Sequence, residues 1–494
     1  MYLGVDIGSS SSKGVLVQGN GDIVARAERP HEIVLPRPGW AEHDPDSVWW
    51  NDFVSITQEL LATTRGRVKA IGVSGIGPCL LPADASGRPL RNAILYGVDT
   101  RAAAEIAELT ERFGESAILE RGGSTLSSQA VGPKLLWLRR HEPDVWAMTR
   151  RFFMASSYIV HRLTGAYILD HHSASQCDPL YDLHEFGWAT DWATVVAPGL
   201  EFPRLLWPSD VAGLVSPAAA RATNLEPGIP VVAGTIDAWA ESLSVGVHQP
   251  RDAMLMYGTT MFLIEAVKPG SFAFNRTMWT TAGAFRGSWS LAAGTATSGA
   301  VTAWWRSLIG HRPFTELLRE AEETPPGASG VVILPYFGGT NTPIYDPDAR
   351  GLIVGLTLSH RSGDIYRAIL EGTAYSIRHI LDQLTKAQVP PARLVAVGGG
   401  TRGRLWTKIV SDVTGLPQEI PTETIGAAYG DALLAAVGVG DLPESTTWAR
   451  IEHTVLPDVS LRDLYDELYS VFLDLYPSTA DAVHRLAAIQ RQAP

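Results

Sequence analysis

The chain begins with YLGVDIGSSSSKGVLV at residues 2–17, two apolar runs joined by a glycine and four serines. Short apolar runs on either side of a Gly-Ser turn predict a β-hairpin. A glycine lets a ligand approach the backbone closely, and backbone N–H groups and hydroxyls donate hydrogen bonds to anionic oxygens. The turn therefore indicates a polyphosphate site, while an ordinary hairpin with a polar turn explains the same residues. Lys13 fits either a phosphate contact or an exposed strand position.

A shorter form of this pattern occurs in the second half of the chain, at MLMYGTTMF in residues 254–262. Gly258 is followed there by two threonines, so the turn again combines open backbone with hydroxyl donors. One such hairpin in each half suggests a nucleotide held by two related α/β domains, and the likeness of the halves suggests a duplicated unit.

Asp237 is the first candidate for catalysis, because it follows a buried strand predicted at 230–234 and precedes a predicted helix. Phosphoryl transfer to a hydroxyl is aided by a carboxylate that accepts the proton of the nucleophile. A helix N-cap is the alternative role, since Asp often caps a helix. Asp6, beside the first turn, would repel a nucleotide unless it held Mg²⁺, directly or through water.

A third glycine cluster, GGGTRG at residues 398–403, follows a predicted strand at 394–397. It matches the dinucleotide-binding pattern G-x-G-x-x-G, which would indicate an oxidoreductase. The match is incomplete, because we find no clear βαβ unit that ends in an acidic residue. Glycines at a strand end suit a flat adenine ring equally well.

Residues 170–172, Asp-His-His, do not predict a metal site. Adjacent histidines on a strand point to opposite faces, and nothing nearby in the sequence completes a ligand set.

The composition narrows the class of protein. With 494 residues, 45% hydrophobic and 19% charged, the chain is predicted to form several globular domains. A net charge of -12 argues against nucleic acid or an anionic membrane as partner. Two cysteines exclude a disulfide framework, and no apolar run of about eighteen residues is present to span a membrane. We expect a cytoplasmic protein, since the chain also begins with a strand rather than a signal peptide.

The predicted domains are residues 1–247, residues 248–440 and an extension at 441–494. The turn residues at 248–250 mark the first boundary, because they separate a predicted helix from a strand. The extension is predicted to be mostly helical.

Taken in order, these motifs resemble those of the FGGY carbohydrate kinases over nearly the whole chain. The segment PGWAEHDP at 38–45 is similar to a loop of that family. GLIVGL at 351–356, followed by DIYRAILE at 364–371, fits its C-terminal signature. The resemblance implies an α/β fold of two actin/hexokinase-like (RNase H-like) domains flanking a deep cleft. It also implies ATP-dependent phosphorylation of a small sugar, ketose or polyol, with a layout nearest to the xylulokinases.

The resemblance also assigns roles to individual residues. Asp237 would be the general base, and Mg²⁺ would lie on the phosphates near Asp6 and Asp237. The residues implied to bind ATP are Gly8, Ser9, Ser10, Ser11, Lys13, Gly258, Thr259, Thr260, Gly299, Gly399, Gly400, Thr401 and Arg404. Those implied to face the acceptor are Ile76, Gly77, Pro78, Tyr96, Asp99, Gln129 and Asp237, with Arg101 as a further polar candidate.

The chain departs from the family at positions that matter for the acceptor. Xylulokinases carry Gln-Met-His where this chain has IGPC at 76–79, and GTNTP at 339–343 replaces the usual GERTP. Ala238 stands where the family often has Asn or Gln. Lost hydrogen-bonding groups relax or move the substrate preference. A kinase of a tetritol, ribulose or glycerol, an actin-like ATPase and a non-catalytic sugar sensor remain as alternatives. The implied partners are ATP and a sugar or polyol, with a homodimer as the usual assembly.

Overall fold

The computed structural model describes residues 1–64, 66–422 and 425–492. The chain forms two compact units, neither of them continuous in sequence. The first comprises Met1–His248, Phe274–Ser290 and Ile425–Ala449, and the second comprises Gln249–Ala273 with the described residues of 291–424 and 450–494. The domains predicted from sequence are contiguous, whereas the first unit also contains residues 274–290 and 425–449, and the second unit contains the described residues of 450–494. No helix in the described ranges is long and apolar enough to cross a membrane.

The strands include the β-hairpin predicted at residues 2–17, which is confirmed. They are β1 (Tyr2–Ile7), β2 (Ser11–Val17), β3 (Ile23–Pro30), β4 (Glu42–His43), β5 (Ala70–Gly75), β6 (Leu81–Ala83), β7 (Ala93–Ile94), β8 (Arg151–Phe153), β9 (Ile168–Asp170), β10 (Tyr181–Asp182), β11 (Gly187–Trp188), β12 (Arg204–Leu206), β13 (Val211–Leu214), β14 (Pro230–Val232), β15 (Thr235–Ile236), β16 (Asp252–Tyr257), β17 (Met261–Val267), β18 (Trp279–Ala282), β19 (Trp289–Gly294), β20 (Val332–Leu334), β21 (Leu352–Val354), β22 (Arg393–Val397), β23 (Gln418–Pro421) and β24 (Ile451–Val455).

The helices lie between the strands in the order expected of α/β domains. They are α1 (Asn51–Thr63), α2 (Ala103–Phe113), α3 (Glu115–Gly122), α4 (Val131–His141), α5 (Pro143–Met148), α6 (Ala155–Thr164), α7 (His171–Ser175), α8 (Thr190–Val196), α9 (Pro217–Thr223), α10 (Asp237–Ser244), α11 (Gly299–Leu308), α12 (Phe314–Glu323), α13 (Ser362–Lys386), α14 (Arg404–Thr414), α15 (Ala427–Gly438) and α16 (Arg462–Gln492).

The first unit is built on a sheet with the strand order β13-β14-β5-β1-β2-β3, and β15 also pairs with β5. β1 runs antiparallel to β2 and parallel to β5, and β5 is buried along its whole length. Because β14 and β15 are also parallel to β5, the carboxyl ends of β1, β5 and β15 lie at one edge of the sheet. Ligands of open α/β sheets bind at this edge.

Helix α15 covers β1 and β5 at very close range. A Cβ on Gly4 would overlap the backbone oxygen of Ala428, and a Cβ on Gly72 would overlap that of Asp431. Glycine is therefore required on both strands for the helix to pack at this distance. Helix α15, late in the sequence, therefore packs against two strands from the beginning of the sequence, β1 and β5.

The second unit repeats the pattern with the strand order β19-β17-β16-β22-β23-β24. β16 is antiparallel to β17 and parallel to β22, as β1 is to β2 and β5. The extension predicted to be mostly helical contains α16 and also β24, which pairs antiparallel with β23 at the sheet edge. β24 is largely exposed, so it lacks the buried apolar run by which a strand is recognised in a sequence.

Candidate active site

Asp6 lies near the carboxyl end of β1, and Asp237 directly follows β15. Both strands pair with β5. Asp6 and Thr235 are both paired with Ser74 of β5, and Asp237 comes two residues after Thr235. Gly234 permits this arrangement, because its φ is +71° and a Cβ would overlap the carbonyl oxygen of Val73. The two aspartates are near enough that the negative charge of Asp6 raises the pKa of Asp237.

Asp237 is the first residue of α10, and the N-cap position belongs to Ile236. Its Oδ1 accepts a hydrogen bond of 2.8 Å from the backbone N–H of Ala238, so the carboxyl also stabilises the first turn of the helix. Burial is the main cause that raises its pKa well above the usual value, and the charges of Asp6 and Glu241 add to it. An aspartate with a raised pKa is a stronger base than a solvated one when it is ionised.

The carboxyl groups of Asp6 and Glu241 lie near Asp237 and add negative charge around it. Burial raises the pKa of Asp6 to about 6, although the Ser74 hydroxyl and the charges of Lys13 and His31 act in the opposite direction. Burial and the charge of Asp6 raise the pKa of Glu241 to about 7. Neighbouring carboxyl groups that hinder each other's ionisation form a suitable environment for a cation.

This arrangement fits a magnesium ion that is bound mainly by other groups. Mg²⁺ usually takes one or two carboxylates and completes its shell with water and substrate phosphates. Within the described ranges, no group of three or more His, Cys, Asp or Glu residues forms a metal site by itself. The carboxylates of Asp6 and Asp237 could therefore hold Mg²⁺ only together with phosphate oxygens or water.

The turn after β1 is tight and is held in place by a histidine. The N–H of Gly8 donates to the carbonyl oxygen of Ser11 at 3.1 Å. His31 Nε2 is 3.0 Å from the carbonyl oxygen of Gly8, and its Nδ1 is 2.8 Å from Asp52 Oδ2. The ring of His31 thus links the backbone of the turn to the side chain of Asp52. Neither His31 nor Asp52 belongs to a sequence motif, so neither was predicted as a site residue.

The side chains of the first hairpin are open to a ligand. Ser9 and Ser11 are partly exposed, and Ser10 and Lys13 are exposed. Tyr96 lies beside this turn, because its hydroxyl hydrogen-bonds with Ser9, and the charge of Asp237 helps burial to raise the pKa of Tyr96. The structure thus brings together the first turn, Asp237 and one residue proposed for the acceptor.

The segment 76–79 presents little polar surface. Ile76 and Cys79 are buried, and Cys79 Sγ donates to the carbonyl oxygen of Ile76 at 3.3 Å. Gly77 packs against the side chain of Ile236, where a Cβ would lie 2.6 Å from Ile236 Cγ1. The peptide bond between Gly77 and Pro78 is cis. Burial raises the pKa of Cys79 to about 12, and the charge of Asp237 adds to this shift, so the segment lies close to the candidate base.

Asp99 and Gln129, also expected at the acceptor, have protein partners. Asp99 is 1% exposed, forms an ion pair of 2.7 Å with Arg101 and accepts a 2.7 Å hydrogen bond from the N–H of Ala41. Gln129 Oε1 accepts from the N–H of Gly97 at 3.1 Å. These contacts hold Asp99, Arg101 and Gln129 in place near Tyr96, and their role at the acceptor stays a prediction.

In the second unit, the turn at 258–260 is locked to the start of α11. The N–H of Gly258 donates to the carbonyl oxygen of Thr260, and the N–H of Gly299 donates to that of Gly258, each at 3.0 Å. The carbonyl oxygen of Thr259 accepts from the N–H groups of Ser298 and Ala300, also at 3.0 Å. The structure therefore brings Gly299 to the predicted phosphate turn.

The glycines at 398–400 lie beside the same turn, because β16 and β22 are parallel neighbours. A Cβ on Gly398 would be 2.7 Å from the carbonyl oxygen of Tyr257, and Gly400 packs on Tyr257 and Trp406. In the part of the chain that the structure describes, no heavy atom lies within 4 Å of a Cβ placed on Gly399. Thr401 Oγ1 donates to the carbonyl oxygen of Gly398 at 2.8 Å, and Arg404 begins α14.

Two reasons given in the sequence analysis were wrong. β22, α14 and β23 do form a βαβ unit, since β22 and β23 are parallel. His171 and His172 lie on α7 rather than on a strand, and burial lowers their pKa values to about 4 and about 3. His171 Nδ1 bonds with the Tyr181 hydroxyl at 2.8 Å, and His172 Nδ1 with the carbonyl oxygen of Ala282 at 2.9 Å, so both have structural partners.

The comparisons with known proteins identify the family of the chain. The model for the N-terminal domain of the FGGY family of carbohydrate kinases matches residues 1–244, and that for the C-terminal domain matches residues 253–439. The chain belongs to the FGGY family of carbohydrate kinases and is an ATP-dependent sugar kinase with two actin/hexokinase-like domains. The fold and family expected from the sequence are thereby confirmed, and the oxidoreductase alternative falls.

Among individual relatives, xylulose kinases are prominent. The chain is 31% identical to the xylulose kinase of Klebsiella pneumoniae over 89% of this chain and 90% of that protein. It is 29% identical to the xylulose kinase of Escherichia coli K12 over 96% of this chain and 98% of that one. The crystal structure of xylulose kinase from Rhodospirillum rubrum is similar with a TM-score of 0.91 and 31% identity, over 98% and 99% of the two chains.

Proposed function

We propose that this kinase transfers the γ-phosphate of ATP to a primary hydroxyl of a small ketose or polyol, with Asp237 as general base. The observation that carries the proposal is the position of Asp237 at a strand end beside Asp6, where burial and like charge raise its pKa. The resemblance of the chain to xylulose kinases supports a five-carbon ketose as the first acceptor to test.

Asp237 would accept the proton of the acceptor hydroxyl as the oxygen attacks the γ-phosphorus. Phosphoryl transfer needs little covalent help from the protein, so alignment of this oxygen matters as much as basicity. The bond from Ala238 N–H to Asp237 Oδ1 fixes the carboxyl in one orientation. Mg²⁺, held by phosphate oxygens with Asp6 and Asp237, would neutralise the charge of the transferred group.

ATP would be bound chiefly through backbone. In the first unit, the turn at Gly8–Ser11 offers N–H groups and hydroxyls to phosphate oxygens. In the second unit, the turn at 258–260 offers the same groups, and the open backbone at Gly399 offers a flat surface for adenine. The phosphate site of the first unit is one proposal, and the phosphate and adenine sites of the second unit are another.

Acceptor recognition would depend on few side chains. The segment 76–79 contributes a buried isoleucine, a glycine, a proline and a thiol. The thiol already donates a hydrogen bond to the carbonyl oxygen of Ile76. Tyr96 is the polar side chain near both Ser9 and Asp237. A site with few hydrogen-bonding groups discriminates weakly between acceptors that differ by one hydroxyl. We therefore propose a broader acceptor range than a site rich in polar contacts would allow.

A coupled assay of ADP release tests this function. Wild type with MgATP is screened against ketopentoses, ketohexoses, tetritols, pentitols and glycerol, with Asp237→Ala as the blank. We expect at least one ketose or polyol to raise ADP release above the blank and to yield a phosphate monoester detectable by mass spectrometry. ADP release that no acceptor changes would favour the actin-like ATPase, and binding without release would favour the sugar sensor. A homodimer and a cytoplasmic location also remain proposals.

A further inference from the structure

Asp431 is a fully buried acid that the proposed mechanism does not use. It lies on α15, in the first unit, and is 0% exposed. Ser74 Oγ lies 2.6 Å from Asp431 Oδ2, whereas Asp431 Oδ1 has no hydrogen-bond partner in the described part of the chain. An ionised carboxylate without full compensation is costly to bury, so a neutral acid suits this environment better.

The surrounding charges act in the same direction. Burial raises the pKa of Asp431 well above its usual value, and the charges of Asp6 and Asp237 raise it further, against the opposing effect of Ser74. Asp6 and Asp237 are the groups with which Asp431 would share negative charge. Protonation of Asp431 removes this repulsion.

The hydroxyl of Ser74 connects Asp431 to Asp6. Ser74 Oγ is 3.3 Å from Asp6 Oδ1 as well as 2.6 Å from Asp431 Oδ2. A serine hydroxyl has one proton to donate. If Asp431 were ionised, that proton would bond to Asp431. If Asp431 is a neutral acid, its own proton bonds to Ser74 Oγ, and the Ser74 proton is free to bond to Asp6.

We infer that Asp431 is a positioning residue, a neutral acid that donates a hydrogen bond to Ser74 and thereby directs the Ser74 hydroxyl onto the carboxylate of Asp6. The carboxylate of Asp6 then has a fixed donor on one oxygen and presents the other to its ligand. The inference rests on the proposed function only for its kinetic test, because the direction of the hydrogen bonds is a property of the folded first unit.

Close packing of the backbone holds this chain of hydrogen bonds in place. Gly72 approaches the backbone oxygen of Asp431 so closely that a Cβ would overlap it, and a Cβ on Gly430 would overlap the backbone oxygen of Ala240. Asp431 therefore lies on a helix that is fixed against β5 on one side and against α10 on the other. A side chain at 431 has little freedom to find another partner.

Two substitutions at this position separate a donor from an ionised acid. Asp431→Asn is neutral and still presents a donor to Ser74 Oγ, whereas Asp431→Leu has similar volume and no donor. We expect Asp431→Asn to keep kcat within about threefold of wild type, and Asp431→Leu to lose about tenfold, the effect of one hydrogen bond to a charged group. Ser74→Ala should match Asp431→Leu, and the double variant Ser74→Ala/Asp431→Leu should lose no more than either single change.

Infrared spectroscopy provides the readout that does not depend on turnover. The difference spectrum of wild type minus Asp431→Asn, at neutral pH and without ligands, should contain the C=O band of a protonated carboxylic acid. This band should shift to higher frequency in Ser74→Ala, because its hydrogen bond is lost. Absence of the band, or a loss of kcat in Asp431→Asn equal to that in Asp431→Leu, would overturn the inference. The spectrum decides the question even if Asp431→Leu does not fold or the proposed function fails.

Discussion

The negative charge of Asp6 raises the pKa of Asp237 across the central strand of the first sheet. The two residues are 231 positions apart, yet the pairing of Asp6 and Thr235 with Ser74 brings both to one sheet edge. One aspartate thus makes its neighbour more basic, and both favour a bound cation. This relationship underlies the assignment of Asp237 as base and of Asp6 as its partner at the phosphates.

Gly398 and Gly399 should respond differently to the same substitution. Gly398 has a φ of +94° and little space beside the carbonyl oxygen of Tyr257, whereas a Cβ on Gly399 meets no heavy atom of the described residues within 4 Å. We expect Gly398→Ala to lower the free energy of unfolding by about 1–3 kcal/mol. Gly399→Ala should leave it unchanged and raise KM for ATP, because the methyl group would displace adenine.

Urea denaturation and ATP kinetics of the two variants check this pair. Equal losses of stability in both would show that the backbone at Gly399 is not open. An unchanged KM for ATP in a stable Gly399→Ala would place adenine elsewhere.

The family signature at 364–371 should prove to be structural through the ion pair of Arg367 and Glu371. Arg367 Nε donates to Glu371 Oε1 at 2.8 Å, and the Tyr465 hydroxyl bonds to the same oxygen at 3.0 Å. Both charged side chains are buried, so Arg367→Met would leave Glu371 uncompensated. We expect a loss of about 3–5 kcal/mol in the free energy of unfolding, which Arg367→Met/Glu371→Leu should largely restore.

Arg319→Met is the matched control for this pair, because Arg319 and Glu323 have the same spacing on α12 and are exposed. An exposed pair contributes at most about 0.5 kcal/mol. Denaturant unfolding of the three variants measures the contrast. Similar small losses in Arg319→Met and Arg367→Met would contradict the buried network.

Glu265 should make the stability of the protein depend on pH. It is 0% exposed, neither carboxyl oxygen has a hydrogen-bond partner in the ranges described, and burial raises its pKa to about 8, against the charge of Arg251. The folded state therefore holds a proton that the unfolded chain releases above its ordinary pKa, about 4.3. The contribution of Glu265 to the free energy of unfolding should be greatest below that pKa and should fall as pH rises toward 8.

Glu265→Gln removes the titrating group, so this part of the fall should disappear. Free energies of unfolding at pH 5 and pH 8 measure it, with the exposed Glu467→Gln as control. If Glu265→Gln keeps the pH dependence of wild type, another group causes it.

Local features of the active site could be predicted from the sequence because they depend on neighbours in the chain. The turns at Gly8 and Gly258 and the strand end before Asp237 each lie within about ten residues, where glycine, hydroxyls and apolar runs are informative. Ser74 and Asp431 are 357 positions apart, and nothing in either segment indicates the other. Asp99 shows that even a close neighbour can be missed, since nothing in the sequence indicated its ion pair with Arg101.

The division of the fold was harder to predict than its elements. The two hairpins are recognised in the sequence as short apolar runs on either side of a glycine turn. Segments 274–290 and 425–449 join the first unit by long-range packing. An example is the close approach of α15 to β1 and β5, which glycine at positions 4 and 72 permits. Tertiary contacts of this kind leave no periodic signal. Contiguous domains, as predicted from the sequence, therefore cannot assign these two segments to the first unit.

The most direct test of the account compares Asp237→Asn with wild type on the best acceptor from the ADP-release screen. Asparagine keeps the shape of the side chain and cannot accept the proton. We expect kcat to fall by about two to four orders of magnitude, the usual contribution of a positioned base. ATP affinity measured by titration calorimetry, and the unfolding midpoint, should remain near those of wild type. Glu241→Gln, which removes a carboxyl one turn further along α10, is the matched control and should lose far less. An Asp237→Asn variant with turnover near that of wild type would contradict the assignment of Asp237 as the base.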